Sequence, residues 1–591
     1  MESGVMRRGG GRVIAALIVL MALLARESRL LPLSADGPRP FTGHVESAWR
    51  LHRISLAISS PRLVQRDRAL SFPGDRSLTQ LPVHDEVMAL GVRLCLGLWS
   101  EEFGRLPDRG ELQELLRALA PLLAAATLAL CYGWLRSGDR CAPAPALAGL
   151  ALVAFLPGFV ELGLPGRVSI EAFAGLGLLL ACMFFSGLWR SSDVLDSMTW
   201  AMVAGGVVGL GLATSPLFLA PLAAACAVFA LQLVDSHGEE RQTTARTGLL
   251  FWISAALVSQ LPALGGPWLP AEEGIIAEWS ALLGGVFLLW VLPLVILGTR
   301  REVPRGRALW LVGLCALAWV AVLAFSEAAR AVLTAPKDVV ASDEGPRLAA
   351  QLGAAVGLAI LCRWTFGARG NLTSEERFLA IMGGLGLVGA LFAPSYIVLG
   401  IAPLALAAAR LAQRARPRLA ILAVAAALCT ASLLPGTEPG SVAAGNREVA
   451  RASAWLEAHT QAPGAWGSAT AVLEWAVGIE PERAPQLLWH GRRAAAGFGE
   501  RWAKGSASAD LDSVRRAANL EDFIATSRAV GLRYWILTPR SARRLGWSEE
   551  LAAALEDLRR GSRASQADAK VLWRSRGPVE TAVCVLELVP L

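Results

Sequence analysis

Long apolar windows recur along most of this chain, and they restrict what it can fold into more than any other feature. A helix needs about 20 apolar residues to cross a bilayer. About thirteen windows of that size occur, centred near residues 20, 124, 153, 178, 206, 225, 256, 289, 318, 355, 385, 403 and 427. Several are rich in Gly and Ala, which let membrane helices pack closely. Of the 591 residues, 54% are hydrophobic and only 18% charged, too few polar groups to cover a water-soluble fold of this length. A bilayer is the natural solvent for such a chain. The pattern predicts a polytopic α-helical membrane protein whose transmembrane domain runs over residues 1–439. The first window, Val13 to Ala25, follows Arg7, Arg8 and Arg12 as in a signal peptide. It is followed by Arg26, Glu27 and Arg29 rather than a small-residue cleavage site, and is read as a retained helix.

After Pro435 the chain changes character. Residues 440–591 mix charged, aromatic and apolar residues and contain alternating pieces such as Arg533 to Leu537 and Val579 to Leu588. Alternation of this kind reads as strand, so a soluble C-terminal α/β domain is expected. The net charge of +7 comes almost wholly from Arg. Arg falls on alternate connections, a bias that suits membrane topology and gives no reason to expect a nucleic-acid partner. Arg136 and Arg140, Arg190, Arg241 and Arg246, Arg300 to Arg307, Arg363 to Arg377, and Arg410 to Arg418 lie on one side. The intervening connections are poorer in Arg and hold Glu272, Glu273, Asp338, Asp343 and Glu344. Basic loops stay cytoplasmic. The N-terminus is thus expected inside a bacterial inner membrane, with residues 440–591 and a long first loop, about 34–110, outside. The sequon at Asn371 to Thr373 then falls inside and is read as a chance match. Nine scattered cysteines show no paired ligand spacing, so they are read as small buried apolar residues. Most of the twenty tryptophans are expected at the bilayer interfaces.

Three outer connections carry carboxylates: Glu46, Asp67, Asp75, Asp85 and Glu86 on the first, Glu161 and Glu171 on the second, and Asp338, Asp343 and Glu344 on the fifth. Carboxylates gathered at one membrane face can hold a divalent cation, which beside a lipid phosphate supports glycosyl or phosphoryl transfer. Solvated loop carboxylates are the plainer reading of the same residues. His52 and His84 read as loop hydrogen-bonding residues rather than ligands. Scarce intramembrane charge and the lack of broken half-helices speak against an ion-coupled transporter.

The first loop reads Glu46-Ser47-Ala48-Trp49-Arg50-Leu51-His52-Arg53, then Arg66-Asp67, Phe72-Pro73-Gly74 and Leu81-Pro82-Val83-His84-Asp85. Further on come Gly166-Arg167-Val168-Ser169-Ile170-Glu171 and Ser342-Asp343-Glu344-Gly345-Pro346. After the last window stand Trp455-Leu456-Glu457-Ala458-His459-Thr460 and Trp475-Ala476-Val477-Gly478. In order and spacing these segments resemble the oligosaccharyltransferase catalytic-subunit family. That family has a D-A-Y-Y-H-L-R-R segment in its first outer loop, a D-x-D or D-H-H segment in its second and an S-E-x-x-P segment in its fifth. A W-W-D-x-G motif lies in its soluble domain.

The resemblance implies a GT-C fold and transfer of a sugar or oligosaccharide from a polyprenyl- or dolichyl-linked donor to a protein or peptide acceptor. It implies a divalent cation, Mg or Mn, held by Glu46, Glu171 and Asp343. Glu46, Asp343 and Glu344 become the catalytic carboxylates, Trp475 and Gly478 the acceptor-binding residues, and Arg50, His84 and Asp85 the donor-binding ones. Membrane lipids surround the helices. Three positions depart from the family pattern: Ser169 replaces the first Asp of the second-loop motif, Ala476 the Asp of W-W-D-x-G, and Ser395 a late-helix Arg. A neutral side chain in place of Arg removes a fixed partner for phosphate. The sequence therefore leaves three readings open: a divergent transferase, an inactive pseudotransferase kept for assembly or lipid binding, and another GT-C transferase of the O-mannosyl or lipid A-modifying type.

Overall fold

A computed structural model of the protein describes residues 2–28, 45–59, 83–96, 109–137, 140–156, 159–162, 170–260, 275–299, 344–368 and 372–414. It further describes residues 440–460, 477–480, 483–488, 493, 513–530, 532–539, 541, 545–561, 568–575 and 582–588, and scattered positions between 304 and 318. The chain divides into two compact units. One comprises Met1–Asp36 and Glu114–Thr437, the other Gly37–Gln113 and Glu438–Leu591. The first loop thus groups with the C-terminal residues, not with the helices that flank it in sequence.

In the first unit the elements are α1 (Glu2–Ser28), α4 (Arg109–Arg136), α5 (Pro143–Ala154), α6 (Phe159–Leu162), α7 (Ile170–Arg190), α8 (Val194–Thr214), α9 (Leu219–Asp235), α10 (Gly238–Gln260), α11 (Ile275–Thr299), α12 (Glu344–Gly367), α13 (Ser374–Phe392) and α14 (Ile401–Arg414). A 3-10 segment, Pro394–Gly400, leads into α14. Among the described residues five stretches are long and apolar enough to cross a membrane: Ala118–Arg136, Ile170–Arg190, Val194–Thr214, Pro216–Asp235 and Ser395–Arg414. Of the thirteen sequence windows, the one near 427 lies outside the described residues and the one near 318 is described only at scattered positions.

Small residues set the helix spacing. On α8, Gly205 and Gly209 are one turn apart, and a Cβ on either would run into a backbone carbonyl of α10, that of Phe251 or Ala255. Ser254 on α10 donates to the Met202 carbonyl of α8 at 2.7 Å. Gly149 on α5 meets the Ala405 carbonyl of α14 in the same way. This is the close approach that glycine pairs allow membrane helices. Replacing Gly209 with leucine should force α8 and α10 apart and cost about 1–3 kcal/mol. A thermal unfolding midpoint in detergent within a degree of wild type would contradict that contact.

Among the described residues the tryptophans divide, with Trp200 and Trp310 exposed. Trp134, Trp252, Trp279, Trp290 and Trp364 are buried among the helices. Trp134 Nε1 donates to Ser186 Oγ at 3.0 Å and Trp279 Nε1 to the Leu212 carbonyl at 3.0 Å. Trp252 stacks on Trp290, with ring centroids 5.8 Å apart. Wide rings fill the gaps left by the Gly- and Ala-rich helices, so the indoles are spent on packing. The sequon residue Thr373 also has a local role. It caps α13 in a reciprocal pair with Glu376, which satisfies two end amides.

In the second unit α2 (Val45–Ser59) and α3 (Val83–Leu96) form a helix pair, and α2 packs on the short α16 (Ala484–Gln486). The C-terminal residues add α15 (Gly440–His459), α17 (Leu520–Ala529), α18 (Glu549–Arg560) and a four-stranded sheet. Its strands are β1 (Val477–Gly478), β2 (Tyr534–Leu537), β3 (Ala569–Arg574) and β4 (Cys584–Leu588), in the order β1-β2-β4-β3. β1 runs parallel to β2, and the other pairs are antiparallel. Phe523, Trp535 and Trp547 pack tilted and edge to face, with centroids 5.0–5.8 Å apart, in the core beside the sheet. Ser548 caps α18 at its start and Gly561, at φ 80°, ends it, a left-handed position that glycine takes without strain.

Candidate functional site

Of the residues expected to act, the structure brings Arg50, His84 and Asp85 together. His84 and Asp85 open α3, with Asp85 and Glu86 in its first turn, where the helix dipole favours negative charge. Arg50 and Arg53 lie three residues apart on α2 and so share a face. Arg50 Nη1 donates to both Asp85 oxygens at 3.2 Å, Arg53 Nε pairs with Oδ2 at 2.7 Å, and His84 Nδ1 lies 3.0 Å from Oδ1. All four side chains are at most 5% exposed. Burial pushes the Asp85 carboxyl up, but Arg53, Arg50 and the His84 hydrogen bond outweigh it and hold the group well below its ordinary value of 3.8. Arg93 of α3 donates to the last carbonyls of α2, Ala57 and Ile58, at 3.1 and 2.7 Å. A charge this well paired and this deep locks α2 to α3. Arg53 belongs to the cluster although the sequence did not single it out. Its signal was the i, i+3 spacing with Arg50.

Glu171 is held differently. It lies in the first turn of α7, is 4% exposed, and its Oε2 has no hydrogen-bond partner among the described residues. One turn further, Gly175 faces Val398 and Ile401, so this face of α7 packs on the 3-10 segment before α14. Ser395, one turn ahead of Val398, is 2% exposed and its Oγ is likewise unpartnered. A buried carboxylate oxygen without a donor is costly, and polar groups left so inside a helical membrane unit mark functional positions. An unpaired oxygen is also what a hard cation takes as a ligand. Glu171 therefore has one oxygen of the kind a cation could take, with no second described carboxylate beside it.

The other expected residues are placed only in part. Glu46 lies on α2 and Glu344 opens α12, but their side chains, like the whole of Asp343 and Trp475, fall outside the described residues. Among the described residues no group of three or more His, Cys, Asp or Glu side chains could hold a metal. Gly478 is buried in β1 opposite Trp535 of β2, and a Cβ there would enter the indole ring. Its want of a side chain thus has a packing cause. Two residues on, Glu480 is 1% exposed and accepts from Thr538 and, at 2.9 Å, from Ser541.

The fold is similar to that of a solved oligosaccharyltransferase, and with its apolar spans the chain is a helical membrane protein. The particular likeness is to solved structures of the oligosaccharyltransferase of Archaeoglobus fulgidus. The apo form aligns over 92% of this chain and 72% of that one, with a TM-score of 0.64 and 14% identity. The complex with Zn and sulfate aligns over 95% and 79%, with a TM-score of 0.64 and 13% identity. The form tethered by a disulfide to an acceptor peptide containing the NVT sequon aligns over 92% and 72%, with a TM-score of 0.62 and 12% identity. No protein-family model matches the sequence, and no curated protein matches it.

Proposed function

We propose that this chain is a membrane glycosyltransferase that moves a sugar or oligosaccharide from a polyprenyl-linked donor to a protein asparagine or another acceptor. The reaction runs at the outer face of a bacterial inner membrane, with the N-terminus cytoplasmic. The observation that carries the reading is the buried, unpartnered Glu171 at the head of α7, in a chain whose fold follows an oligosaccharyltransferase over nearly its whole length. That neighbour binds Zn and sulfate in one structure and a sequon peptide in another.

In such a transfer the acceptor atom attacks the anomeric carbon, the bond from that carbon to the lipid phosphate oxygen breaks, and the acceptor proton passes to a base. The lipid phosphate leaves with the bonding electrons. A divalent cation, Mg or Mn, supplies charge to offset the leaving phosphate. In this chain Glu171 offers that cation an oxygen, and Glu46, Asp343 and Glu344 remain the further carboxylates implied by the family likeness. A buried, rigidly held carboxylate serves this role without reorganising. Trp475 remains the acceptor-side residue of the reading, and Arg50, His84 and Asp85 serve the donor by fixing the α2–α3 pair.

A second reading has its own observation. Ser395 stands, neutral and buried, where the resemblance expects a phosphate-binding Arg, which suits a pseudotransferase that binds lipid without turnover. One experiment separates the two. Purified protein is incubated with Mn and a polyprenyl-linked sugar, with and without sequon peptide, and both donor binding and product are measured. Glycosylated product that falls roughly 100-fold or more in Glu171→Gln, with donor binding retained, is the expected result. Donor binding without product would select the pseudotransferase. Absence of donor binding by wild type would sink both readings.

A further inference from the structure

α7 and α14 run in the same direction. Arg190 ends α7 and Arg410 lies in the last turns of α14, and both pair at the head of α13, Arg190 Nε with Glu375 at 2.7 Å and Arg410 Nε with Glu376 at 3.4 Å. The starts of the two helices therefore share the opposite end of the unit. There α7 packs on the 3-10 segment Pro394–Gly400 that leads into α14. A Cβ on Gly175 would lie 3.4 Å from Ile401 Cδ1 and 4.0 Å from Val398 Cγ1, so Gly175 and Val398 face each other. Glu171 precedes Gly175 by one α-helical turn, on the same face and about 6 Å further along the axis. Ser395 precedes Val398 by one 3-10 turn, in which side chains three apart eclipse, again about 6 Å further along. The two side chains thus stand at one level, on facing sides of one helix contact.

Both are buried, and each has an oxygen without a hydrogen-bond partner among the described residues. A hydroxyl and a carboxylate at one level would ordinarily satisfy each other, the hydroxyl donating. These two do not, so a group that serves both must offer something to two oxygens at once. A divalent cation does so. It takes hard oxygens at about 2.0–2.6 Å, which sets two oxygens on one ion roughly 3–5 Å apart, a separation that needs no bond between them. It also meets the charge of a buried carboxylate, which a bridging water leaves uncompensated. A serine hydroxyl is competent in this role: in P-loop NTPases a Ser or Thr hydroxyl and a nearby Asp hold Mg.

We propose that the Ser395 hydroxyl is a second protein oxygen on the cation that Glu171 takes. The position that the family likeness gives to a phosphate-binding Arg then holds the metal instead, and the metal carries the positive charge that the Arg would have brought. The assignment rests on the transferase reading above, in which Glu171 offers a cation an oxygen.

The test uses the full-length protein in detergent after chelation, with no donor or acceptor present. Mn binding is read from the loss of the free-ion electron paramagnetic resonance signal, and Cd binding from its displacement of Mn. Wild type should bind Mn, and Glu171→Gln should lose it. Ser395→Ala should bind Mn roughly tenfold or more weakly, whereas Ser395→Thr keeps a hydroxyl and should bind as wild type does. Ser395→Cys exchanges a hard oxygen for a soft thiolate, so Cd should displace Mn at a concentration roughly tenfold or more below that needed in wild type. The native cysteines are common to every variant, so the difference reports the new thiol. If Ser395→Cys does not fold, the Ala and Thr variants decide. Mn binding that is lost in Glu171→Gln but unchanged in Ser395→Ala, with no new preference for Cd in Ser395→Cys, would overturn the assignment and leave the cation role of Glu171 standing. Mn binding untouched by Glu171→Gln, or absent from wild type, would remove that role and the Ser395 assignment with it.

Discussion

Asp85→Asn should cost the second unit about 3–5 kcal/mol, the range found when one partner of a buried ion pair is removed. The substitution barely changes shape. It removes the carboxylate that pairs with both Arg50 and Arg53, and both guanidiniums sit at most 5% exposed. The deficit should appear as a lower unfolding midpoint of the full-length protein and as faster proteolysis within α2 and α3. Asp85 also makes stability depend on acid. Its folded carboxyl is held below the ordinary 3.8, so its contribution is complete above that pH and is lost as pH falls beneath it toward the folded value. In Asp85→Asn that acid limb should disappear. The triple variant Asp85→Leu/Arg50→Met/Arg53→Met removes all three charges and should recover much of the loss, since apolar replacement of a whole buried cluster is often neutral. A single variant as stable as wild type, with an unchanged acid limb, would show that the cluster does not hold the helix pair.

Glu375→Ala should be the second most damaging change, again about 3–5 kcal/mol. Glu375 accepts from Arg140, from Arg190 and, at 2.6 Å, from Ser186 Oγ. It thereby joins α7, α13 and the turn between α4 and α5. Without it Arg140 is left charged and almost wholly buried, while Arg190 can turn to water. Glu375→Gln should cost less, because its amide oxygen can still accept one of the three donors. Glu376→Gln loses only a half-exposed pair with Arg410 and part of the α13 cap, worth about 1 kcal/mol. Thermal midpoints in detergent should therefore rank Glu376→Gln, Glu375→Gln and Glu375→Ala in falling order.

The helices were plain in the sequence wherever apolar length alone defines an element. The windows near 178, 206, 225 and 403 became α7, α8, α9 and α14, because a long apolar run leaves the chain no other conformation in lipid. Tyr534 to Leu537 and Cys584 to Leu588 were equally plain as alternating strands. α2 and α3 were not, since their charged residues read as loop until Arg50, Arg53 and Asp85 are seen to neutralise one another across 35 positions. Long-range pairing of that kind leaves no periodic trace. Glu375 escaped for the same reason: its partners are Arg140 and Arg190, far away in the chain and accounted for as topology signals. Glu171 was singled out by its place in a motif, but only the structure shows that one of its oxygens is buried and unmatched. The burial of Trp134, Trp252, Trp279, Trp290 and Trp364 was hidden because nothing in a window distinguishes an indole facing a glycine-lined gap from one at the headgroups.

The division of the chain also has a consequence in time. The second unit needs Gly37–Gln113 and Glu438–Leu591, yet all of Glu114–Thr437 is synthesised between them. At roughly 5–20 residues per second, the early piece waits tens of seconds for its partner. During that interval α2 and α3 lack the C-terminal residues of their unit. The pairing of Asp85 with Arg50 and Arg53 and the Arg93 cap link α2 directly to α3, so the helices can clasp each other as soon as both have emerged. The ionic lock then acts as a holding device for a half-built unit during biogenesis, and a change such as Asp85→Asn should lower the yield of inserted protein by more than the stability of the finished protein alone would account for.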